Sequence, residues 1–365
     1  MGGFDARREG PPGPPGRFYW RSLSAQDHDQ GNAMTSPSFS RPAGDRDPAS
    51  GGRPPRTGKR YLSLEPLILW SRMDRPIHRP DVFGRRSPLE LEIGYGNGEY
   101  LTRHAQAHPD RDFIGLELSW PSTKRALRRI AQRNLSNIRL IELDAVVALQ
   151  RLFRPRSLDR IYALFPPPWP KERHYRRRLF STAFLGLMNS RLQDHGQGQI
   201  VTDYRPLADW ILSQVPGTGL RATVETTPAR FMTKYERKWQ EAGQAVFYEI
   251  RLEKEQHIHV PLTEDISLNT YRIKSFDPER FHPENEFGPI TVKFKDYLYD
   301  PKRRRAMARA FVTEDQLIQE FWIEAAEEGE LWHIHLARGS HVVPSQGVQR
   351  ALDLARDAAQ NSAAR

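Results

Sequence analysis

Three glycines at alternate positions, with acids beside them, are the residues of this chain whose spacing is best suited to chemistry. Positions 90–100 read Glu-Leu-Glu-Ile-Gly-Tyr-Gly-Asn-Gly-Glu-Tyr, after an apolar run and before a helix-forming segment. Glycine is needed where the backbone takes positive φ or where a ligand approaches it closely. We therefore expect a strand, a tight turn containing Gly94, Gly96 and Gly98, and then a helix, with a ligand against the turn.

The spacing of these glycines distinguishes the ligands that such a turn can hold. A dinucleotide turn reads G-x-G-x-x-G, and Glu99 stands where that pattern needs its third glycine; no P-loop lysine follows either. S-adenosylmethionine is the other ligand of a strand, glycine turn and helix. It has no phosphate and carries two positive groups, so acids should surround it. Glu92 and Glu99 flank the glycines.

A regular alternation of strand and helix patterns positions the turn. Strand patterns occupy 89–93, 112–118, 138–143, 159–164, 198–202, 222–225 and 246–252, and helical patterns occupy 100–107, 122–134, 145–153 and 178–194. Apolar strands separated by helices predict an α/β fold with a doubly wound sheet and helices on both faces. Ligands of such sheets bind at the carboxyl ends of the strands.

Two further acids are expected at that edge of the sheet. Glu117 ends the second strand, 19 residues after Gly98, where a carboxylate can accept both ribose hydroxyls of a nucleoside. Asp144 follows the third strand, where a carboxylate can read the amino edge of an adenine. The alternative for either acid is that it caps the helix that follows.

The fourth strand runs into a proline-rich loop, residues 165–170, and then into a basic segment, residues 171–178. Proline cannot continue the strand, so we expect a rigid loop at the ligand edge. The basic segment interleaves five cations with His174 and Tyr175, a pattern suited to phosphate contact and base stacking. The five cations are Lys171, Arg173, Arg176, Arg177 and Arg178. A solvated basic helix start is the alternative.

The overall composition narrows the class of protein. Among 365 residues, 55 are Lys or Arg and 45 are Asp or Glu, a net charge of +10 that favours a polyanionic partner, with nucleic acid first. The absence of cysteine excludes disulfides and thiolate zinc sites. His104 and His108 lie four apart but lack the glutamate of a metalloprotease motif, so we expect no metal. The sequence shows no apolar stretch near twenty residues long and no secretory signal, so we expect a cytoplasmic protein.

The chain divides into three parts by composition. Residues 1–58 hold nine of the 29 prolines and few aliphatic side chains, and we expect a disordered tail. Residues 59–254 contain the strand and helix alternation. Residues 255–365 show four further strand patterns and a final amphipathic helix, which predict a small appended α+β domain. Its basic cluster at 302–305 is either a second RNA contact or a set of charges that protects a sheet turn.

These segments together resemble the bacterial tRNA (guanine-N7-)-methyltransferase family. The resemblance rests on residues 91–99, 113–117, 157–162, 165–178, 202–203 and 233–236, and it covers about residues 62–254. It implies a class I methyltransferase fold, S-adenosylmethionine as cofactor, and tRNA as partner, methylated at guanine 46 of the variable loop.

The resemblance also implies roles for individual residues. Glu92, Glu117 and Asp144 would hold the cofactor together with the glycine turn. The residues that would meet the target nucleoside are Lys171, Asp203, Thr233, Lys234, Tyr235 and Glu236. The oligomeric state is not indicated by any pattern in the sequence.

One position departs from the family pattern. The family reads Phe-Pro-Asp-Pro-Trp and uses this aspartate as its active-site carboxylate, whereas this chain has Pro167 there, so no catalytic residue is assigned. Guanine N7 has an in-plane lone pair and loses no proton on attack, so no general base is required. Placing that lone pair in line with the methyl group could supply most of the acceleration.

Two other functions stay open at the level of sequence. The change at Pro167 and the added domain favour an RNA-binding protein of the same fold with weak or lost turnover. A methyltransferase that acts on another RNA or on a small molecule is the other possibility. The strand-end acids favour an enzyme, because an RNA-binding protein has no need of them.

Overall fold

A seven-stranded sheet lies at the centre of the part of the chain that carries the glycine turn. The structure is a computed structural model that describes residues 62–363, so the expected tail at 1–58 lies outside the described residues. The strands are β1 (Leu89–Ile93), β2 (Asp112–Glu117), β3 (Ile138–Glu142), β4 (Leu158–Leu164), β5 (Leu192–Thr202), β6 (Leu220–Thr227) and β7 (Phe247–Lys254). Their order is β3-β2-β1-β4-β5-β7-β6, and β7 runs antiparallel to both of its neighbours.

Helices cover both faces of this sheet, as predicted. They are α1 (Arg79–Phe83), α2 (Glu99–Ala107), α3 (Trp120–Arg133), α4 (Ala145–Arg151), α5 (Thr182–Arg191), α6 (Arg205–Gln214) and α7 (Lys234–Glu241). Short 3-10 turns occupy Trp70–Arg72, Glu172–Arg177 and Pro278–Arg280. Apolar residues of α2 and α3 pack in one buried cluster, and those of α4, α5 and α6 pack in another. Because β1 lies between the two, all five of its residues are buried.

The buried β1 strand carries a carboxylate that joins the sheet to α2. Glu90 is 1% exposed and accepts hydrogen bonds from Arg111 at 2.7 Å, from His104 at 3.1 Å and from the Tyr162 hydroxyl. Burial opposes ionisation of Glu90, but the bonds from His104 and Tyr162 outweigh it and lower its pKa to about 2. Since His104 lies on α2, this network fixes the helix that follows the glycine turn.

A second, antiparallel sheet follows the first in sequence. Its strands are β8 (Tyr271–Ile273), β9 (Ile290–Asp300), β10 (Arg305–Glu314), β11 (Leu317–Glu328) and β12 (Leu331–Leu336), in the order β8-β12-β11-β10-β9. Helix α8 (Gln346–Ala363) packs on one face through a buried cluster that includes Val348, Ala351 and Leu352. The strand-rich C-terminal region and its final helix were predicted from sequence.

The segment between the two sheets is bound to the first one. Arg191 is fully buried, and its guanidinium donates to the carbonyls of Leu149 and Val260, both at 2.6 Å. The amide of Asn189 donates to the Gln256 carbonyl at 2.8 Å. Residues 62–363 accordingly belong to one compact unit.

Three helices and one helix boundary were not predicted. The helices α1, α6 and α7 lie outside the helical patterns of the sequence. The helix expected over 178–194 is shorter, because Ser181 caps its start by accepting from the Phe184 amide at 3.4 Å, and β5 already begins at Leu192. Within residues 62–363, no helix is long and apolar enough to cross a membrane.

We predict that Gly98→Ala destabilises the fold more than an equivalent change at another positive-φ glycine. Gly98 has φ 70°, and a Cβ there would lie 2.8 Å from the Ala126 Cβ and 3.2 Å from its Cα, so α3 must shift. We expect a loss of about 2–3 kcal/mol in the free energy of unfolding, measured by urea denaturation.

Gly217→Ala is the matched control, since Gly217 has φ 80° and the added methyl group would meet no atom within 4 Å. Only backbone strain applies there, at about 1 kcal/mol. Equal losses in the two variants would contradict the packing role of Gly98.

Candidate active site

The glycine turn leaves open space beside its backbone. Gly94 and Gly96 have φ of 73° and 54°, and a Cβ on either would meet no atom within 4 Å. The turn is held from behind by a hydrogen bond from the Gly94 amide to the Leu116 carbonyl at 2.8 Å. A ligand can therefore approach two of the three glycines, while Gly98 serves helix packing.

Glu92 lies at the end of β1 next to this open space. Its side chain is 3% exposed, and its Oε2 is buried with no hydrogen-bond partner among the described residues. Burial raises the pKa of Glu92 to about 8, with Arg103 opposing the rise and Glu117 adding to it. An unpartnered buried carboxyl beside a glycine turn suits a ligand that brings a positive charge or hydroxyl donors.

Glu117 lies at the end of β2 and binds the turn itself. Its Oε2 accepts from the Gly96 amide at 3.0 Å, and its Oε1 accepts from the amides of Leu118 at 2.9 Å and Ser119 at 3.0 Å. A carboxylate has about four acceptor positions, so these three bonds fix its orientation and leave capacity for a ligand hydroxyl. The structure thus brings Glu117 to the predicted edge and gives it a structural task as well.

Glu142 is an acid at this edge that the sequence analysis missed. It ends β3 and is the register partner of Glu117. Burial and the neighbouring Glu117 both raise its pKa. The predicted third strand ran to residue 143, which placed Glu142 inside the strand, and no pattern in the segment Ile-Arg-Leu-Ile-Glu marks it as the last strand residue.

Asp144 caps α4, which is the alternative that the sequence left open. Its Oδ1 accepts from the amides of Val146 at 2.8 Å and Val147 at 3.4 Å. Burial raises its pKa, against the effect of these two bonds. Binding of an adenine edge by Asp144 stays a prediction.

The proline-rich loop is held by a buried arginine. Arg178 is 5% exposed and donates to the carbonyls of Pro168 at 3.1 Å and Trp169 at 3.3 Å. Its guanidinium also lies 3.8 Å from the Tyr175 ring centroid. The expectation that Arg178 contacts phosphate is therefore corrected, because its donors face the loop. Pro167 is exposed at the tip.

The rest of the basic segment is exposed. The residues concerned are Lys171, Arg173, Arg176 and Arg177. The Arg177 guanidinium lies 5.0 Å from the Trp169 ring centroid. Partial desolvation and the neighbouring cations lower the pKa of His174, so this surface favours a neutral imidazole beside its arginines. These side chains form a cationic surface with aromatic rings beside the proline loop.

Asp203 lies at the same edge of the sheet as the proline loop. It follows β5, and the Phe165 amide donates to the Val201 carbonyl at 2.7 Å, so the ends of β4 and β5 are adjacent. Its carboxyl group is half-buried, and burial raises its pKa. Asp203 therefore lies at the carboxyl edge of the sheet, and its contact with the target nucleoside stays a prediction.

Thr233 and Glu236 form a helix cap. The Thr233 hydroxyl accepts from the Glu236 amide at 3.1 Å at the start of α7. Glu236 is 1% exposed, and its carboxylate accepts from the amides of Arg230 at 2.7 Å, Phe231 at 3.0 Å and Met232. The expectation that Glu236 meets the target nucleoside is corrected, since its buried carboxylate accepts from three backbone amides. The T-x-x-E spacing was the signal for this helix start.

The cap positions a loop that closes the site from the other side. Phe231 packs against Phe165 and Tyr100, which joins this loop to the proline loop and to α2. Lys234 and Tyr235, on the first turn of α7, are exposed. They are the two residues of the predicted 233–236 group whose side chains are available to a substrate.

Glu99 and two arginines of the C-terminal basic cluster pair with neighbouring residues. Glu99 pairs with Arg129 at 2.8 Å and Arg237 at 2.9 Å, so it binds helices together instead of facing the turn. Arg304 pairs with Glu327 and Arg305 pairs with Glu324 at 3.3 Å. These pairs favour a protective role at the sheet turn over RNA contact.

No cluster of three or more possible metal ligands occurs in residues 62–363.

The doubly wound sheet, its antiparallel seventh strand and the glycine turn at the carboxyl ends of its strands define a class I methyltransferase fold. A family model described as "Putative methyltransferase" matches residues 86–249. A solved structure titled "Structure of an antibiotic related Methyltransferase" is 14% identical, covers 47% of this chain and 90% of its own, and has a TM-score of 0.38.

Curated relatives identify the family. The tRNA (guanine-N(7)-)-methyltransferase of Chlorobium phaeobacteroides is 44% identical over 170 residues, which cover 47% of this chain and 83% of the relative. The enzyme of the same name from Pseudomonas syringae is 36% identical over 196 residues, 52% of this chain and 80% of its own. The Thermus thermophilus relative is 40% identical over 185 residues, with coverage of 50% and 60%. This chain belongs to the tRNA (guanine-N(7)-)-methyltransferase family.

We predict that Glu92→Gln stabilises the ligand-free protein at high pH. The folded pKa of about 8 exceeds the unfolded value near 4.5, so between those pH values the folded state retains a proton that the unfolded state releases. The contribution of Glu92 to stability therefore falls as pH rises from about 5 to 8. Glutamine stays neutral, and the variant should be about 1–3 kcal/mol more stable than wild type at pH 8.

Urea denaturation at pH 5 and pH 8 checks this prediction. Glu241→Gln, on the exposed side of α7, is the matched control and should show no such difference. A stability difference between Glu92→Gln and wild type that is the same at both pH values would show that Glu92 is ionised in the folded protein.

Proposed function

We propose that this chain transfers a methyl group from S-adenosylmethionine to N7 of guanine in tRNA, at position 46 of the variable loop. The observation that carries the proposal is that one edge of the sheet joins the glycine turn, with its unpartnered Glu92, to the exposed basic segment beside the proline loop. Family membership supplies the reaction, and we place the protein in the cytoplasm with its tRNA substrate.

The residues at the glycine turn fit the cofactor. Glu92 offers a buried oxygen without a partner, and Gly94 and Gly96 offer backbone with open space in front of it. Glu117, Glu142 and the capping Asp144 surround the same edge with acids. We assign these groups to the cofactor; Glu142 extends the predicted set. The bound cofactor supplies an electrophilic methyl group on a sulfonium.

The chain's task at the substrate is to orient the base. The guanine N7 lone pair attacks without losing a proton, so the site needs no general base, and Pro167 removes no essential proton acceptor. Asp203 can accept from the amino and imino hydrogens of the guanine, which turns N7 away from it. A carboxylate near the base also stabilises the cationic ring that methylation produces. We assign Asp203 this role in the absence of the family aspartate.

The exposed cations of the basic segment serve the tRNA backbone. Lys171, Arg173, Arg176 and Arg177 can contact phosphates, and the rings of Trp169 and Tyr175 can stack on unpaired bases. Lys234 and Tyr235 are on α7, whose preceding loop packs on the proline loop. Arg178 and Glu236 support these surfaces by fixing backbone.

Methyl transfer to defined tRNA transcripts tests the function directly. Labelled S-adenosylmethionine is incubated with an unmodified transcript and with one whose variable-loop guanine is replaced by adenine, and the products are mapped as nucleosides. We expect 7-methylguanosine on the first transcript alone. Cofactor and tRNA binding without label would instead support an RNA-binding protein whose turnover was lost with the Pro167 change.

Two sets of variants separate the cofactor site from the tRNA surface. Glu117→Gln should weaken cofactor binding by tenfold or more, about 1.4 kcal/mol, with tRNA affinity unchanged. Arg176→Ala with Arg177→Ala should weaken tRNA binding and lower the slope of log affinity against log salt by about two, with cofactor affinity unchanged.

Calorimetry measures the cofactor affinity, and filter binding over a salt series measures the tRNA affinity. Arg128→Ala, an exposed arginine on α3, is the charge control for the tRNA experiment. An exchange of the two phenotypes would mean that the cofactor and tRNA sites are wrongly placed.

A further inference from the structure

A cationic cavity lies at the opposite edge of the first sheet from the glycine turn. Its volume is about 190 Å³, and it is lined at the start of β1 and just before β4. Leu89, which lines it, and Ile93, which precedes the turn, are the two ends of β1, about 13 Å apart at the usual rise per residue. The cavity is therefore separate from the candidate active site.

Positive side chains dominate the lining of this cavity. Arg79, Arg86 and Arg154 lie around it together with His78, and none of its ten lining residues is Asp or Glu. One guanidinium nitrogen of Arg79 donates to the Ser87 carbonyl at 2.9 Å, and His78 pairs with Asp81 at 2.9 Å. Within residues 62–363, Arg86 and Arg154 make no ion pair.

Ion pairs neutralise some of the arginines elsewhere on the protein. Arg304, Arg305 and Arg309, for example, each pair with an acid on the second sheet. Asp81 and Asp159 contact the lining, at His78 and at the Leu89 amide, but the three arginines outnumber them. A bound anion would reduce the remaining repulsion between the arginines. Guanidinium groups match phosphate in particular, because their N–H donors form a fork that fits two oxygens.

Two further features of the lining point to a ligand. The Ser157 hydroxyl is buried and has no hydrogen-bond partner among the described residues, so a donor at the cavity is left unused. The floor is apolar and is formed by Ile77, Leu89, Leu152 and Phe153. An apolar floor lowers the local dielectric and strengthens the attraction between the arginines and an anion.

We propose that this cavity binds a phosphate group through Arg79, Arg86 and Arg154. The phosphate belongs either to the tRNA backbone or to a small phosphorylated molecule, and both present the same oxygens to the arginines. In the first case the site rests on the proposed function and extends the tRNA footprint to the far edge of the sheet. In the second case it is a separate ligand site.

The test uses the full chain with Arg86→Ala and Arg154→Ala combined. Both side chains are exposed, so the variant should fold as wild type does. The control combines Arg128→Ala and Arg338→Ala, which removes the same charge from exposed positions away from the cavity. Cofactor affinity should be unchanged in both, so a defect of the cavity is distinguishable from failure of the proposed function.

The first arm measures thermal unfolding with pyrophosphate against chloride at equal ionic strength. At tenfold excess over Kd, pyrophosphate should raise the Tm of wild type and of the control by about 3 °C more than that of the cavity variant. Ser157→Ala should reduce the same shift while raising the Tm of the ligand-free protein, because it removes an unpartnered buried hydroxyl.

The second arm measures tRNA affinity over a salt series. A tRNA phosphate in the cavity predicts a loss of about one to two in the salt slope for the cavity variant and a smaller loss for the control. A pyrophosphate effect with equal slopes in the two variants identifies a small phosphorylated ligand. Equal Tm shifts together with equal slopes overturn the proposal.

Discussion

Two carboxyl groups on one buried strand set the character of the site. Glu90 and Glu92 lie two residues apart on β1, so their side chains point to the same face of a sheet that is covered on both sides. Glu90 is ionised because Arg111, His104 and Tyr162 surround it, and these bonds fix α2. Glu92 has no such donors on Oε2, and burial keeps its proton near neutral pH. The first carboxyl group holds the helix, and the second is left for a ligand.

The loops at the carboxyl edge are positioned by charged side chains that bind backbone. Glu117 accepts from the glycine turn, Arg178 donates to the proline loop, and Glu236 accepts from residues 230–232. In each case a side chain that looks like a ligand-binding group in the sequence satisfies the polar backbone of a neighbouring loop. The residues that remain exposed, such as Lys171 and Tyr235, are then held at fixed places by loops that these charges have ordered.

The parts of this protein that depend on local pattern are predictable from its sequence. The strand and helix alternation predicted the doubly wound sheet, and the three glycines predicted the turn, because period and backbone freedom are properties of short segments. The roles of Arg178 and Glu236 depend on which backbone carbonyls and amides lie beside their side chains. Contacts between segments of the folded chain determine these partners. The T-x-x-E spacing would have revealed the α7 cap, whereas nothing local marks Glu142 as the neighbour of Glu117.

The buried Arg191 bears on the order in which the chain can complete its fold. Its guanidinium is satisfied by carbonyls on both sides of β6 and β7 in sequence, at Leu149 and at residues 260–261. During synthesis, α4, α5 and the first five strands are made long before Val260 and Pro261 exist. Until then, a core arginine lacks two of its acceptors, which costs about 1–3 kcal/mol for each unpaired group. The first sheet therefore reaches its full stability only after the segment leading to the second sheet has left the ribosome and docked.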